Sequence, residues 1–420
     1  MRILVLGSGA REHALCYALQ KSPQTSELFA MPGNPGISQI ATCLSGNIED
    51  NTAVVQVAKE KAIDLVVVGP EVPLVNGVAD ALEAAGIKVF GPSQKAAELE
   101  GSKAFSKDLM KKYGIPTASY EIFTDAAAAK AYVATITPPV VIKADGLAAG
   151  KGVIIAETTA DALAAIDEIM LDRAFGDSGS QVVIEEFMQG EEVSVLCFTD
   201  GKTIIPMLPS QDHKRALDGD QGLNTGGMGA YAPAPVGTAE LLERVQAEIL
   251  EPTIKAMAQE GRLYKGCLYA GLMVTATGPK VVEFNCRFGD PEAEVVLPLL
   301  DSDLVEIMLS IANDNLTADL IRWKDEVAVA VILAAGGYPK SYAKGDAIEG
   351  LDTVKDALIF QAGTKENAGK LVTNGGRVLA VVACGSDIAG AVHKVYQEVA
   401  KIKFANMHYR KDIAHLALNR

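Results

Sequence analysis

The sequence predicts a multidomain protein of mixed α/β and α+β class, with a wound parallel sheet in an N-terminal domain and a small C-terminal α+β domain. Three observations predict it. The chain has 420 residues, more than one hydrophobic core normally organises. Short apolar strands alternate with helical stretches through residue 92, the βαβ pattern of a parallel sheet. Finally, the charged run Trp323-Lys324-Asp325-Glu326 reads as a boundary before a last stretch with strands and a helix of its own.

The first strand, 2–6, runs into Gly7-Ser8-Gly9 and a helix over 11–20. A strand at 28–31 ends in Pro32-Gly33-Asn34-Pro35-Gly36. After a helix at 51–62 come the strand Leu65–Val68, the loop Gly69-Pro70-Glu71, a helix at 76–85 and the strand Lys88–Phe90. In such sheets ligands sit beyond the carboxyl ends of the strands, so the loops 7–13, 32–36 and 69–71 form one functional rim. Residues 98–114 are polar and helical and stop at Gly114-Ile115-Pro116. Residues 138–189 read as strand, glycine-rich loop, strand, helix, strand. Hairpin turns at Asp200-Gly201 and Thr277-Gly278 and a helix at 238–259 fill the next stretch. The expected domains are 1–100, 101–190, 191–325 and 326–420, the last with strands 327–334 and 377–383 and a helix at 388–401.

Composition narrows the function. Nearly half the residues are hydrophobic and 22% are charged, which describes a globular chain. Lys and Arg number 38 against 53 Asp and Glu, a net charge of −15, which argues against nucleic acid. It leaves small phosphorylated ligands open, because local Lys and Arg can meet them. The cysteines Cys16, Cys43, Cys197, Cys267, Cys286 and Cys384 form no zinc-type spacing, and a reduced, cytoplasmic protein is expected. Cys286 is expected to fill an apolar face. The opening residues lack a signal-peptide core, and the apolar run Val327–Ala335 is too short to cross a bilayer, so no membrane association is expected.

The chemistry concentrates in a few segments. In Lys280-Val-Val-Glu-Phe-Asn-Cys-Arg-Phe-Gly-Asp-Pro-Glu292, Glu283 and Asn285 lie two apart on a strand and share a face. A carboxylate beside an amide oxygen suits a hard cation that takes its other ligands from water and phosphate. Arg287 continues that face toward a phosphate or carboxylate. An exposed hairpin strand is the alternative. Gly7-x-Gly9-x-x-Glu12 opens like a dinucleotide fingerprint, yet Glu12 replaces the third glycine and Met31-Pro32 stands where an acidic residue should meet a ribose. A phosphate-bearing substrate and a purely structural turn both remain open. Lys143 ends an apolar strand before a loop with Gly146, Gly150, Lys151 and Gly152, a fixed cation followed by a phosphate-covering flap that is not a Walker A loop. Glu185 and Glu192 follow another strand and could meet a nucleoside, or form a charged turn. Gln211-Asp212-His213-Lys214-Arg215 is a ligand-closing loop or a solvated run, with His213 inviting a general-base role.

In this order the motifs resemble the ATP-grasp ligases. Gly7-Ser-Gly-Ala-Arg-Glu-His13, Gly69-Pro-Glu71, Lys143-Ala-Asp-Gly-Leu-Ala-Ala-Gly-Lys-Gly152, Gln211-Asp-His-Lys-Arg215, Glu283-Phe-Asn-Cys-Arg-Phe-Gly-Asp-Pro-Glu292 and Ala334-Ala-Gly-Gly-Tyr-Pro339 look like the glycinamide ribonucleotide synthetases. The resemblance implies an ATP-grasp core between the terminal domains, and a reaction in which ATP, glycine and 5-phospho-β-D-ribosylamine give glycinamide ribonucleotide, ADP and phosphate. It implies that Lys103 and Lys143 contact ATP phosphates together with the flap glycines Gly150 and Gly152. Glu185 and the backbone near Phe187 would contact adenine, Glu192 the ribose, and Glu283 and Asn285 would hold Mg²⁺ or Mn²⁺. Gly9, Arg11, Asn34 and Glu71 are the implied phosphoribosylamine contacts, with Asp212, Lys214 and Arg287 nearby. Lys143, Asp212, Lys214 and Arg287 are the implied catalytic set. The partners are then small molecules, and a monomer would suffice. A related carboxylase, a non-catalytic ATP-binding protein and a nicotinamide dehydrogenase are the rival readings.

Overall fold

The computed structural model describes residues 1–148 and 152–420. Its N-terminal sheet is parallel, in the spatial order Thr42–Cys43, Glu27–Pro32, Arg2–Gly7, Leu65–Val68, Lys88–Phe90. Strand periodicity decides what each face does. Leu4 and Leu6 pack with Val54, Leu74 and Leu82 of the sheet's own helices. Ile3 and Val5 share a cluster with Leu15, Phe198, Phe288 and Met308. That second face joins the N-terminal sheet to the centre of the molecule, and so fixes its rim loops over the site described below.

Residues 120–186 supply a four-stranded antiparallel sheet in the order Tyr120–Phe123, Val182–Glu186, Val140–Ala144, Val153–Ala156. Val133, Ala162, Ala165 and Ile166 from its helices cover one face, packing on Val140, Ile142 and Val182. A second antiparallel sheet runs Ile204–Pro206, Glu191–Thr199, Gly266–Thr275, Gly278–Asn285. The last large sheet joins Gln211–Asp212 and Gly229–Ala232 to Val327–Ala334, Arg377–Gly385 and Leu358–Gln361. Trp323–Glu326 therefore separates segments along the chain, but the sheet beyond it takes two of its strands from before it.

The helix expected over 98–114 is two helices, Gln94–Gly101 and Lys103–Tyr113. Ser102 breaks it: in extended conformation, its hydroxyl accepts from the Phe105 N–H at 3.1 Å, while Asp145 Oδ1 accepts from the Ala104 N–H at 2.6 Å. A serine able to cap is better used at a helix start than inside a helix. The break places Lys103 in a first turn facing the loop after Lys143. The 238–259 helix spans Ala239–Gln259, with a wider turn over Gln246–Leu250. Among the described residues, no helix is long and apolar enough to cross a membrane.

Candidate active site

A cleft of about 410 Å³ lies between the two antiparallel sheets and is closed at one end by residues of the N-terminal and C-terminal parts. Its floor is the strand Gly278–Asn285. The register with Gly266–Thr275 slips after Gly271, which opposes Glu283, while Leu272 opposes Val281. This bulge leaves Val282 unpaired, and a bulge re-aims the side chains beside it. The Val282 carbonyl accepts from Lys143 Nζ at 3.1 Å, and Val282, Glu283 and Asn285 all line the cleft.

Burial works against the Glu283 carboxylate, but Lys214, Lys143, Lys103 and Arg287 outweigh it and hold its pKa below the usual range. Asn285 Oδ1 accepts from Arg287 Nη2 at 3.0 Å and keeps a second lone pair. The cleft lining contains no histidine or cysteine. Among the described residues no three His, Cys, Asp or Glu side chains converge as a metal cage. The donor set therefore fits a hard divalent cation held by one or two protein oxygens and completed by ligand oxygens, and misfits a soft or caged metal.

At one end stand Lys103, Lys107, Lys143 and Glu185. Glu185 is 3% exposed, with Lys107 Nζ 2.9 Å from Oε2 and Lys143 Nζ 2.9 Å from Oε1, the latter close enough to pair but not aligned for a hydrogen bond. Its carboxylate is thus committed to lysines, which leaves the backbone of this strand, not the acid, to meet a base. Burial pushes Lys107 down to about 8 despite Glu185. Lys103 Nζ donates to the Gly146 carbonyl at 3.1 Å, tying its helix to the loop after Lys143. Gly152 lines the cleft and receives the Ala144 N–H at 2.8 Å through its carbonyl. A Cβ on Gly152 would come within 2.7 Å of Ala148 Cβ, so a larger residue here would force its neighbours to shift. Gly150 and Lys151 lie outside the described residues. Phe187, half-exposed, borders the opening.

Across the cleft, Lys214 pairs with Glu192 Oε2. Burial disfavours the Lys214 ammonium, yet Glu192, Asp212 and Tyr269 hold its pKa well above the ordinary value. Burial drives Asp212 the other way, up to about 7 against the pull of Lys214, with Glu292 adding to the rise. Strand alternation turns His213 away from both. It is 3% exposed, packs on Tyr231 and His415, and its Nε2 accepts from the Ala414 N–H at 3.2 Å. Burial, then Arg410, push it down to about 3, so it is a neutral packing residue rather than a base. We expect His213→Gln to leave kcat unchanged and to lower stability by about 1 kcal/mol, readable as a lower melting temperature with normal turnover.

The far end is built from arginines and acids. Arg287 pairs with Glu100 at 2.8 Å and with Glu71 at 3.3 Å. Arg11 donates to Glu12 Oε1 at 2.7 Å and to the Phe288 carbonyl at 3.2 Å. Burial opposes the Glu71 charge, but Arg287 and Arg11 keep its pKa low. Gly9 and Asn34 stand outside the cleft lining. The Gly9 N–H donates to Glu12 Oε2 at 2.6 Å. Cβ atoms on Gly7 or Gly69 would come within 2.5 Å and 2.2 Å of the Glu12 side chain. The glycine turn that could have cradled a pyrophosphate is therefore filled by the protein's own carboxylate, a physical reason against the nicotinamide reading. Asn34 Nδ2 donates to the Ser8 and Gln361 carbonyls at 2.8 and 2.7 Å, and Oδ1 accepts from the Ile37 N–H at 2.9 Å. It locks the rim instead of facing a ligand. Cys286 is buried against the Ala96 and Ala97 carbonyls, and burial pushes its thiol up, away from nucleophilic use.

The cleft also gathers Lys107, Glu100, Tyr269, Asp290, Glu292 and Arg377, which sequence reasoning did not select. Lys107 carried a usable signal, since it is one turn after Lys103 on the same helix face. Asp290 and Glu292 lie inside a motif already singled out. Arg377 comes from a distant strand, and nothing local marks it.

The chain matches the family descriptions "Phosphoribosylglycinamide synthetase, N domain" over residues 1–100, the ATP-grasp (A) domain of the same synthetase over 101–293 and its C domain over 328–416. A phosphoribosylamine–glycine ligase of Agrobacterium fabrum is 51% identical over 421 residues, covering 100% of this chain and 99% of the relative. The crystal structure of the phosphoribosylamine–glycine ligase of Thermotoga maritima superposes with a TM-score of 0.85 at 35% identity, covering 99% of this chain and 100% of that one. The biotin carboxylase domain of the Hydrogenobacter thermophilus 2-oxoglutarate carboxylase, solved with MgADP and bicarbonate, shares the fold at a TM-score of 0.75 and 18% identity over 97% of this chain and 91% of that one.

Proposed function

The chain belongs to the phosphoribosylglycinamide synthetase family, and from that premise we propose how its own residues divide the work of the family's reaction. The protein is an ATP-dependent ligase of purine biosynthesis that joins glycine to 5-phospho-β-D-ribosylamine through a glycyl phosphate, releasing ADP and phosphate. The observation that carries the division of labour is the convergence of Lys103, Lys143 and Lys214 on Glu283 in the floor of one cleft.

ATP lies at the lysine end. Lys103 and Lys143 neutralise its phosphates beside Gly152, Phe187 borders the base and Glu192 meets the ribose. Glu283 and Asn285 would hold Mg²⁺ or Mn²⁺, which would offset charge on the phosphates. A glycine carboxylate oxygen then bonds to the γ-phosphorus as the bond to ADP breaks. Lys214, kept protonated by Glu192 and Asp212, stabilises the charge on the transferring group.

Phosphoribosylamine lies toward Arg11, Glu71 and Arg287, with Gly9 and Asn34 shaping the rim behind them. Its amine nitrogen bonds to the glycyl carbonyl carbon, the carbon–oxygen bond to phosphate breaks, and the nitrogen loses a proton. Asp212 faces this step with an affinity for protons matched to neutral pH, and takes that proton. No covalent enzyme intermediate is needed. The six free cysteines support a reducing, cytoplasmic setting.

Phosphate release measured with each substrate omitted in turn tests the reading. Release should require ATP, glycine and phosphoribosylamine together. Equal release with alanine in place of glycine would refute the assigned acceptor.

A further inference from the structure

Beneath the arginine end of the cleft lies a carboxyl group that the reaction above does not use. Glu294 is 0% exposed, and neither of its oxygens meets an N–H or O–H donor among the described residues. Its neighbour is Asp290, which lines the cleft. Arg377 Nη2 stands 3.1 Å from Asp290 Oδ1, and a Cβ built on Gly9 would lie 3.5 Å from Asp290 Oδ2. Two buried carboxyl groups in contact cannot both be ionised. One must keep its proton and donate it to the other.

The surrounding charges decide which one. Burial opposes the Asp290 charge, but Arg377 and Arg11 outweigh it and keep that carboxylate ionised. Around Glu294 the balance is reversed: burial first, then Asp290 and Glu292, push its carboxyl well above the ordinary range, and Arg377 offsets only part of this. Glu294 is therefore the donor.

Asp290 is worth fixing because three parts of the chain meet there. It lies against the start of the helix Ala10–Leu19, whose N-cap is Gly9. Arg377, from the strand Arg377–Gly385, donates through Nη1 to the Asp290 carbonyl at 2.9 Å and to the Gly226 carbonyl at 2.6 Å. The Gly226 N–H in turn donates to the Tyr338 hydroxyl at 3.0 Å. Asp290, Gly226 and Arg377 all face the cleft.

We propose that Glu294 is a positioning residue whose buried carboxylic acid donates the hydrogen bond that holds Asp290 between Arg377 and the first turn of the helix Ala10–Leu19, and so sets the wall of the phosphoribosylamine site. This rests on the reading that the arginine end takes phosphoribosylamine. An amide can replace a carboxylic acid as donor, whereas a methyl group cannot.

The test compares full-length wild type, Glu294→Gln and Glu294→Ala by KM for ATP, glycine and phosphoribosylamine, by kcat, and by melting temperature. Glu294→Ala should raise KM for phosphoribosylamine by about tenfold, the effect of one lost buried hydrogen bond, and leave KM for ATP within about twofold. Glu294→Gln should match wild type in every constant and in melting temperature. A Gln variant as impaired as the Ala variant overturns the proposal, because it would mean that Glu294 must release its proton. A rise in KM for ATP equal to that for phosphoribosylamine overturns it as well. If the Ala variant does not fold, the Gln variant decides alone: wild-type constants support the proposal and a loss of turnover defeats it. Should wild type itself not require phosphoribosylamine, the assigned reaction fails. The donor role is then still judged by melting, where Gln equal to wild type supports it and Gln as low as Ala ends it.

Discussion

Glu283→Ala is expected to reduce turnover by about a thousandfold, equivalent to roughly 4 kcal/mol of transition-state stabilisation, while the protein stays folded. The reason is electrostatic. Glu283 is the anion on which Lys214, Lys143 and Lys103 act, and it is one of the two floor oxygens suited to a divalent cation. Removing it leaves ammonium groups facing one another and a cation site with Asn285 alone. The folding cost should be small, about 1 kcal/mol, because Glu283 faces a ligand cleft and the strand's packing residues Val281 and Phe284 are untouched. Glu283→Gln should fail nearly as badly, since it restores shape without charge. The measurements are phosphate release under saturating substrates, a Mg²⁺ titration of nucleotide binding and a melting curve. Turnover near wild type in a folded Glu283→Ala protein would falsify the cation assignment.

Lys143→Ala should lower kcat/KM for ATP by about a hundredfold, whereas Lys107→Ala should lower it by about tenfold or less. Both lysines grip Glu185, yet only Lys143 also reaches the floor, at the Val282 carbonyl. Of its three N–H donors Lys143 gives one to the Val282 carbonyl, beside Glu283, whose charge Lys143 helps to hold and Lys107 does not. Lys107 instead gives one to the Thr117 hydroxyl at 2.8 Å. Each variant leaves Glu185 with one lysine, so their folding costs should be similar and smaller than the roughly 3–5 kcal/mol seen when a buried charge loses its only partner. Kinetic constants at varied ATP, together with melting temperatures, separate the two roles. Equal losses in the two variants would show that Lys143 acts only as a counter-ion to Glu185.

Local pattern was enough for most of the architecture. The alternation through Phe90, the hairpin at Thr277-Gly278 and the helix Ile388–Val399 each arise from periodicity and turn residues that neighbours in the chain supply. The break at Ser102 has no local signature, because a capping serine inside a polar helical stretch looks like any surface serine until Asp145 is brought beside it. The sharing of one sheet between Gly229–Ala232 and Val327–Ala334 was equally invisible, since strand pairing across a long gap leaves no local mark.

Residue order alone was enough to name the candidates for chemistry and the elements that carry them, because strand and helix periods assign faces before any tertiary contact forms. Their partners were assigned only by folding in three dimensions. Folding gave Glu185 to Lys107 and Lys143, Arg287 to Glu71 and Glu100, and the Gly9 N–H to Glu12, and buried Glu294 away from any donor among the described residues. Charges interact through distance in space and through burial, not through separation along the chain. Which side chains pair with their own protein was therefore decided only once the sheets closed around the cleft.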